Sequence, residues 1–136
     1  MTRIKGFEKL VELVERLRGE NGCPWDKEQT IVSLKEDVLS EAEELREAID
    51  KADYENIKEE IGDLIWGLVL MTQVAKEEGR FDLEDVFKGA NDKIVRRHPH
   101  VFGDTKATNG EEALALFRKA KANEKKNKKE SGPTQN

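Results

Sequence analysis

One segment limits what this chain can fold into: residues 59–75, EEIGDLIWGLVLMTQVA. From Ile61 to Ala75 only Asp63 is charged, and apolar residues lie nearly all the way round a helical wheel. A helix that is apolar on every side belongs in a protein core. An ionised carboxylate is costly to bury there unless something compensates its charge. The segment therefore predicts a core helix in which the charge of Asp63 is compensated.

Four carboxylates on two helical segments form the candidate site. Glu60 lies three residues before Asp63, so the two side chains share one helix face about one turn apart. Glu41 and Glu44 have the same spacing in the preceding helical segment. Carboxylates directed at one place from two antiparallel helices suit a hard cation with oxygen ligands. Two simpler interpretations stay open: Glu41 and Glu44 as a solvated face, and Asp63 as a cap for neighbouring backbone.

Two other kinds of metal centre are poorly supported by the sequence. A di-iron bundle uses Glu-x-x-His on paired helices, but the only histidines, His98 and His100, lie beyond the helices concerned. A structural zinc site needs more cysteine and histidine ligands than Cys23 and these two histidines supply. The residues therefore favour an oxygen-only site.

Hydrophobic periodicity predicts an all-α fold of four to five helices that form a bundle. The predicted helices cover about residues 3–18, 33–51, 57–78, 83–97 and 109–122. Asp26 and Gln29 are spaced as a capping box that opens a short extra helix, and Thr108 and Glu111 as the box of the last one. The sequence after residue 122 has almost nothing apolar. We expect a helical domain over residues 1–122 and a disordered charged tail over residues 123–136.

Composition restricts the class of protein. A chain of 136 residues suffices for one domain with a real core. The net charge of −5 argues against nucleic-acid binding by the whole domain. Cys23 is the single cysteine, so no intrachain disulfide can form and a reducing cytosol is indicated. Residues 61–75 are too short to span a bilayer, and the N-terminus lacks an apolar signal core. We expect a cytoplasmic protein without membrane or nucleic-acid partners.

Two further groups of residues are candidate substrate contacts. Lys93 and Arg97 lie four residues apart at the end of the fourth predicted helix, with Arg96 beside them. They can simply interact with the helix dipole, or they can clamp phosphate next to an acidic metal site. Trp25 lies in the turn-rich break at residues 21–26. Its ring can cover the end of the core or stack on a nucleobase.

Taken together, these residues resemble the MazG family of nucleoside triphosphate pyrophosphohydrolases over about residues 5–103. The matching segments are GCPWDKEQT at 22–30, LSEAEEL at 39–45, EEIGDL at 59–64, EEGRFDLEDV at 77–86 and KIVRRHPHVFGD at 93–104. Their order and spacing make the match specific. The family pattern is Glu-Glu-x-x-Glu, followed after an interval by Glu-x-x-Asp. Ser40 stands at the position of the first Glu in this pattern. A carboxylate there would support the metal ligands or bind a second metal ion, and the serine puts both roles in doubt.

The resemblance implies a Mg²⁺-dependent hydrolase, in which Mn²⁺ can substitute. It would cleave nucleoside triphosphates between the α and β phosphates to monophosphate and pyrophosphate, as in nucleotide-pool clearance. The implied metal ligands and catalytic residues are Glu41, Glu44, Glu60 and Asp63. The implied substrate contacts are Lys93, Arg97, Arg96, Trp25 and Lys35. Either Glu41 or Glu44 could accept a proton from the attacking water, and the sequence does not choose between them.

The core helix also predicts self-association. Its apolar residues cannot all face one intrachain partner, as shown by Trp66, Leu68, Leu70 and Met71. We expect a homodimer or higher homo-oligomer that completes a helix bundle, as the resemblance also implies. Three other functions stay open: a related pyrophosphohydrolase narrowly specific for dUTP, dCTP or phosphoribosyl-ATP, a non-enzymatic helical adaptor, and a nucleic-acid binder that uses the basic tail.

Overall fold

A computed structural model describes residues 4–130, and every regular element among them is an α-helix. The helices are α1 (Lys5–Arg18), α2 (Pro24–Lys27), α3 (Ile31–Asp50), α4 (Tyr54–Glu77), α5 (Leu83–Arg97), α6 (Pro99–Phe102) and α7 (Gly110–Glu130). The predicted all-α class is confirmed. The five predicted helices correspond to the five long ones, and α2 and α6 are single-turn helices between them.

The ends of α3 and α4 follow from local side-chain chemistry. Thr30 opens α3 with a capping box, in which its Oγ1 accepts from the Ser33 amide at 3.0 Å and its own amide donates to Ser33 Oγ at 2.8 Å. The Asp53 side chain caps α4 by accepting from the Asn56 amide at 3.2 Å. After α4, Gly79 adopts a φ of 73°, a left-handed conformation that glycine takes without strain. The predicted stop of the core helix at Gly79 is confirmed.

Both capping boxes predicted near α2 and α7 are wrong. α2 begins at Pro24, whose fixed φ suits the first helical position, and Asp26 lies buried inside this helix. At α7 the amide of Glu112 donates to Asn109 Oδ1 at 2.9 Å. The Glu112 carboxylate in turn accepts from the amide and hydroxyl of Thr108. The capping residue of α7 is therefore Asn109 rather than Thr108, and the acid three positions after it is Glu112 rather than Glu111.

The C-terminal helix is longer than the sequence indicates. α7 ends at Glu130, whereas the sequence predicts a helix end near Ala122 and a disordered tail from residue 123. Lys and Glu, which dominate this stretch, are good helix formers, and Glu124 forms ion pairs with α5. Residues 131–136 of the predicted tail lie outside the described residues.

The chain divides into two compact units, Met1–Leu83 and Glu84–Asn136. In the first unit α3 and α4 form a hairpin, and α1 packs against α4. Its core consists of Val14, Leu34, Val69, Leu70 and Val74. In the second unit α6 packs against α7. None of the described helices has the length and hydropathy needed to cross a bilayer.

The break between α1 and α2 requires a glycine. A Cβ at Gly22 would lie 2.2 Å from the carbonyl oxygen of Leu17. The same carbonyl accepts from the amide of Cys23 at 2.8 Å, which draws the chain back against the end of α1. This close backbone approach fixes where α2 starts.

The helix that the sequence predicts to be buried on every side is buried mainly in its C-terminal half. Val69, Leu70 and Val74 are in the core, whereas Trp66 is 44% and Leu68 46% exposed. Two packing partners, α1 and α3, do not cover all of this helix within the first unit. The exposed apolar residues are consistent with self-association, which stays a prediction.

Candidate functional site

Three of the predicted acidic residues come together on the α3–α4 hairpin. Glu41 on α3 and Glu60 and Asp63 on α4 each offer one carboxylate oxygen, and these oxygens lie within 4.8 Å of one another. Glu60 is 8% exposed, and the other two are partly buried. The helical spacing of Glu60 and Asp63 and the return of the chain at residues 51–53 produce this arrangement. We call these three residues the acidic cluster.

Burial and mutual repulsion change the proton affinity of the acidic cluster. Burial, the hydrogen bond with Glu41 and the charge of Glu44 raise the pKa of Glu60 from its ordinary 4.5 to about 7. Burial also raises the pKa of Glu41, with the charges of Glu44 and Asp63 acting in the same direction, while the hydrogen bond with Glu60 lowers it. The cluster therefore concentrates more negative charge than it can hold without a counter-ion or a proton.

Two oxygens of the acidic cluster have no donor to compensate them. While both carboxyl groups are ionised, Glu41 Oε2 and Glu60 Oε2 are buried without a hydrogen-bond partner among residues 4–130. A buried acceptor without a partner costs free energy, and the cost is larger for a charged group. A cation bound to these oxygens would remove that cost.

A cavity of about 280 Å³ adjoins the acidic cluster. Glu41 and Asp63 line it together with Trp25 and Asp26 from α2 and Trp66 from α4. The Trp25 side chain is 58% exposed, whereas Asp26 is 7% exposed. An accessible aromatic ring and buried carboxylates at one cavity can contact a planar group and a hydrogen-bond donor of the same ligand.

The second unit contains a basic pocket of about 510 Å³, lined by Lys93, Arg96, Arg97, Lys121, Glu124, Lys125, Asn127 and Lys128. Glu124 forms ion pairs with both Arg96 and Arg97, and Arg97 Nε donates to its Oε2 at 2.8 Å. These two arginines lower the pKa of Glu124. The Arg97 guanidinium also lies 5.3 Å from the centroid of the Phe117 ring.

Sequence reasoning missed the contribution of α7 to the basic pocket. Lys121 and Lys125 are four residues apart and share a helix face, a signal that was available in the sequence. The sequence predicts a disordered tail after Ala122, so the position of Lys125 on the same helix as Lys121 does not follow from that prediction. Once α7 extends to Glu130, these lysines join Lys93 at one pocket.

Residues 29–102, more than half of the chain, match the family described as MazG nucleotide pyrophosphohydrolase domain. The chain belongs to the MazG family. It is 43% identical over 123 residues to the nucleoside triphosphate pyrophosphohydrolase of Escherichia coli (strain K12), an alignment that covers 90% of this chain and 47% of that relative. It is 48% identical over 99 residues to the nucleoside triphosphate pyrophosphohydrolase/pyrophosphatase MazG of Thermotoga maritima, covering 73% and 39% of the two chains.

A solved structure supports the MazG assignment at the level of the fold. The crystal structure of a mazG-related protein from Thermotoga maritima superimposes with a TM-score of 0.72 and 38% sequence identity, covering 85% of this chain and 98% of that one. By contrast, the chain spans about half the length, or less, of the curated relatives it matches. The relatives are named as hydrolases of nucleoside triphosphates.

The remaining predicted residues of this MazG site differ in how close they lie to the acidic cluster and the cavity. Glu44 is exposed and lies outside the three-oxygen group, although its charge raises the pKa of Glu41 and Glu60. Ser40 lines the cavity, whereas Lys35 is exposed on α3 and does not belong to the cavity lining. The functional roles assigned to all of these residues stay predictions.

Proposed function

We propose that this MazG chain hydrolyses nucleoside triphosphates, with ribose or deoxyribose, between the α and β phosphates to monophosphate and pyrophosphate. The observation that carries the proposal is the acidic cluster, whose three carboxylates share a region small enough for one ion. The names of the E. coli and T. maritima relatives support the substrate class. Clearance of unwanted nucleotides is the role that we expect, and the cytoplasmic location stays a prediction.

Mg²⁺ is the cation that we propose for the acidic cluster, with Mn²⁺ as a substitute. An octahedral ion with ligands at about 2.1 Å holds neighbouring oxygens about 3 Å apart and opposite ones about 4.2 Å apart. Oxygens within 4.8 Å need only small side-chain rotations to reach these distances. Glu41, Glu60 and Asp63 would hold the ion, with Glu44 as a fourth carboxylate. When bound, Mg²⁺ neutralises phosphate charge and polarises a phosphoryl group as a Lewis acid.

Other side chains would accept the proton from the attacking water and bind the phosphates. Of Glu41 and Glu44, we assign proton acceptance from the attacking water to Glu44, because its carboxylate is exposed and lies outside the three-oxygen group. Lys93 and Arg97, with Arg96, would bind the phosphates and stabilise charge on the leaving pyrophosphate.

The nucleoside half of the substrate is assigned to the cavity. Trp25 would stack on the nucleobase, a role that its exposure and its position beside Glu41 and Asp63 support. Lys35 remains a weaker candidate for the nucleotide pocket because it is absent from the cavity lining.

A substrate panel tests this function. The purified protein is incubated with Mg²⁺ and canonical, deoxy and damaged triphosphates, and pyrophosphate is measured separately from orthophosphate. We expect pyrophosphate and monophosphate in equal amounts. Release limited to dUTP, dCTP or phosphoribosyl-ATP would favour the narrow-specificity alternative. Absence of pyrophosphate with every substrate would favour the helical adaptor and refute the proposal.

We also propose a homodimer or higher homo-oligomer. Support comes from exposed apolar side chains on α4, among them Ile61, Ile65, Trp66 and Leu68. Light scattering at micromolar concentration measures the assembly, and a monomer would contradict it.

Metal-free protein is expected to lose stability as the pH rises from about 5.5 to about 8. Glu60 has a folded-state pKa of about 7 against an ordinary 4.5, so between these values the folded protein binds a proton that the unfolded chain releases. This contribution is complete below 4.5 and is lost as the pH rises through about 7. Because Mg²⁺ competes with the proton for the same oxygens, it should raise the thermal midpoint more at the higher pH.

Circular dichroism melts at both pH values, with MgCl₂ or EDTA, measure this effect. Glu60→Gln, which cannot titrate, should flatten the pH dependence of the metal-free midpoint. An equal Mg²⁺-induced shift at both pH values in the parental protein would contradict the prediction.

A further inference from the structure

Arg18, the last residue of α1, joins two parts of the first unit with one guanidinium. Its Nε and Nη2 donate to the two carboxylate oxygens of Glu77 at 2.9 and 2.8 Å. Its Nη1 donates to the backbone carbonyl oxygens of Asp26 and Gln29, the latter at 3.1 Å. The Arg18 side chain is only 8% exposed. Hydrogen bonds with Glu77 raise the pKa of Arg18 and lower that of Glu77, so both groups stay charged.

The two carbonyls that Arg18 contacts belong to the end of α2 and the residues that follow it. α2 contains only four residues, Pro24–Lys27, and a single turn of helix is not stable without tertiary contacts. The last carbonyls of a helix lack partners within the helix and favour a cation. Arg18 supplies that cation, and Glu77 anchors it to the C-terminal end of α4.

The helix held in this way forms one wall of the cavity beside the acidic cluster. Trp25 and Asp26 of α2 line that cavity together with Glu41 and Asp63. Arg18 is absent from its lining. Any effect of Arg18 on a ligand in the cavity must therefore pass through the position of α2.

We propose that Arg18 is a positioning residue for the nucleotide: it fixes α2 so that Trp25 and Asp26 meet the nucleoside half of the substrate. The proposal rests on the proposed function, because it concerns the same cavity. The hydrogen bonds of Arg18 go to Glu77 and to the carbonyls of Asp26 and Gln29, and not to the acidic cluster, so we expect Mg²⁺ binding to be independent of Arg18. One guanidinium bridges a carboxylate and two carbonyls at the same time. The planar guanidinium of arginine has enough donors, in a fixed arrangement, to make all of these contacts, whereas the single ammonium of lysine can make only some of them.

The first test is kinetic and uses Arg18→Met. We expect KM for a triphosphate to rise about tenfold or more while kcat falls less than about threefold, the signature of lost substrate binding rather than lost chemistry. The Mg²⁺-induced rise in the thermal midpoint should equal that of the parental protein. Arg18→Lys should recover part of the parental KM. The matched control is Arg80→Met. Arg80 also pairs with an acid near the end of α4, Glu78 at 3.6 Å, but its side chain is 71% exposed. This control variant should keep the parental KM.

The second test is hydrogen exchange of the intact protein, well below its unfolding midpoint. In Arg18→Met we expect faster exchange of amides in residues 23–30, with α3 and α4 protected as in the parental protein. A parental KM, or faster exchange spread evenly over α1, α3 and α4, would overturn the proposal, since Arg18 would then only stabilise the whole unit. If the parental protein releases no pyrophosphate, the proposed function fails, and the exchange pattern alone decides whether Arg18 positions α2.

Discussion

Asp63→Asn is expected to lower the rate of pyrophosphate release about a thousandfold or more. The substitution keeps the size of the side chain but removes one charge from the three oxygens that group within 4.8 Å. A bound metal ion contributes several kcal/mol of charge stabilisation, and each 1.4 kcal/mol corresponds to about a factor of ten in rate. Pyrophosphate release under saturating Mg²⁺ measures the effect, with far-ultraviolet circular dichroism to verify that helicity is retained.

Two further variants separate the roles of the carboxylates. Glu44→Gln should also lose most activity, but it should keep more of the Mg²⁺-induced thermal stabilisation than Asp63→Asn does, because Glu44 is exposed and lies outside the three-oxygen group. Glu59→Gln, an exposed acid directly before Glu60, is the matched control and should keep the parental rate. Hydrolysis by Asp63→Asn at the parental rate would refute the metal site.

Arg97→Met is expected to lower kcat/KM about a hundredfold. Loss of one preorganised donor to developing charge typically costs a factor of about 10²–10³. Arg97→Lys keeps the charge but not the bidentate geometry, so it should retain an intermediate rate. Initial rates over a range of triphosphate concentrations measure the effect. Arg118→Met, an exposed arginine on α7, provides the control in the same unit and should have the parental kcat/KM.

The contacts of Arg97 within the protein require a second comparison. Arg97 pairs with Glu124 and lies near the Phe117 ring, so its loss could act through packing alone. Glu124→Gln removes the carboxylate and leaves both Arg96 and Arg97 available to phosphate. If Arg97 binds triphosphate, Glu124→Gln should keep or improve the parental KM. An equal loss of activity in Glu124→Gln and Arg97→Met would mean that the ion pair, and not phosphate binding, is the role of Arg97.

The parts of this molecule that follow from local rules could be predicted from the sequence. Glu60 and Asp63 share a face because they are three residues apart, and Glu41 meets them because a short turn makes α3 and α4 antiparallel. Gly79 ends α4 where a left-handed residue is needed. For these features, helical periodicity and turn chemistry suffice.

Features that depend on contacts distant in sequence were missed or misjudged. Glu124 holds the extended α7 against Arg96 and Arg97, which lie 28 and 27 positions earlier, and no local pattern reveals such pairs. Arg18 reaches Glu77 across 59 positions. The sequence likewise indicated that Trp66, Leu68, Leu70 and Met71 cannot all be covered within the chain, but not that Leu70 would be buried while Trp66 and Leu68 stay exposed, because burial depends on which helices pack against α4.

The α3–α4 hairpin has a consequence for biosynthesis. Glu41, Glu60 and Asp63 all come from this one hairpin. The segment that must close to assemble the acidic cluster is therefore short, and its entropic cost is small. Chains are made from the N-terminus, and early domains fold first. The acidic cluster can therefore be complete before the ribosome adds Glu124, the partner of Arg96 and Arg97 in α7. A nascent chain would then form its proposed metal site before its basic pocket exists.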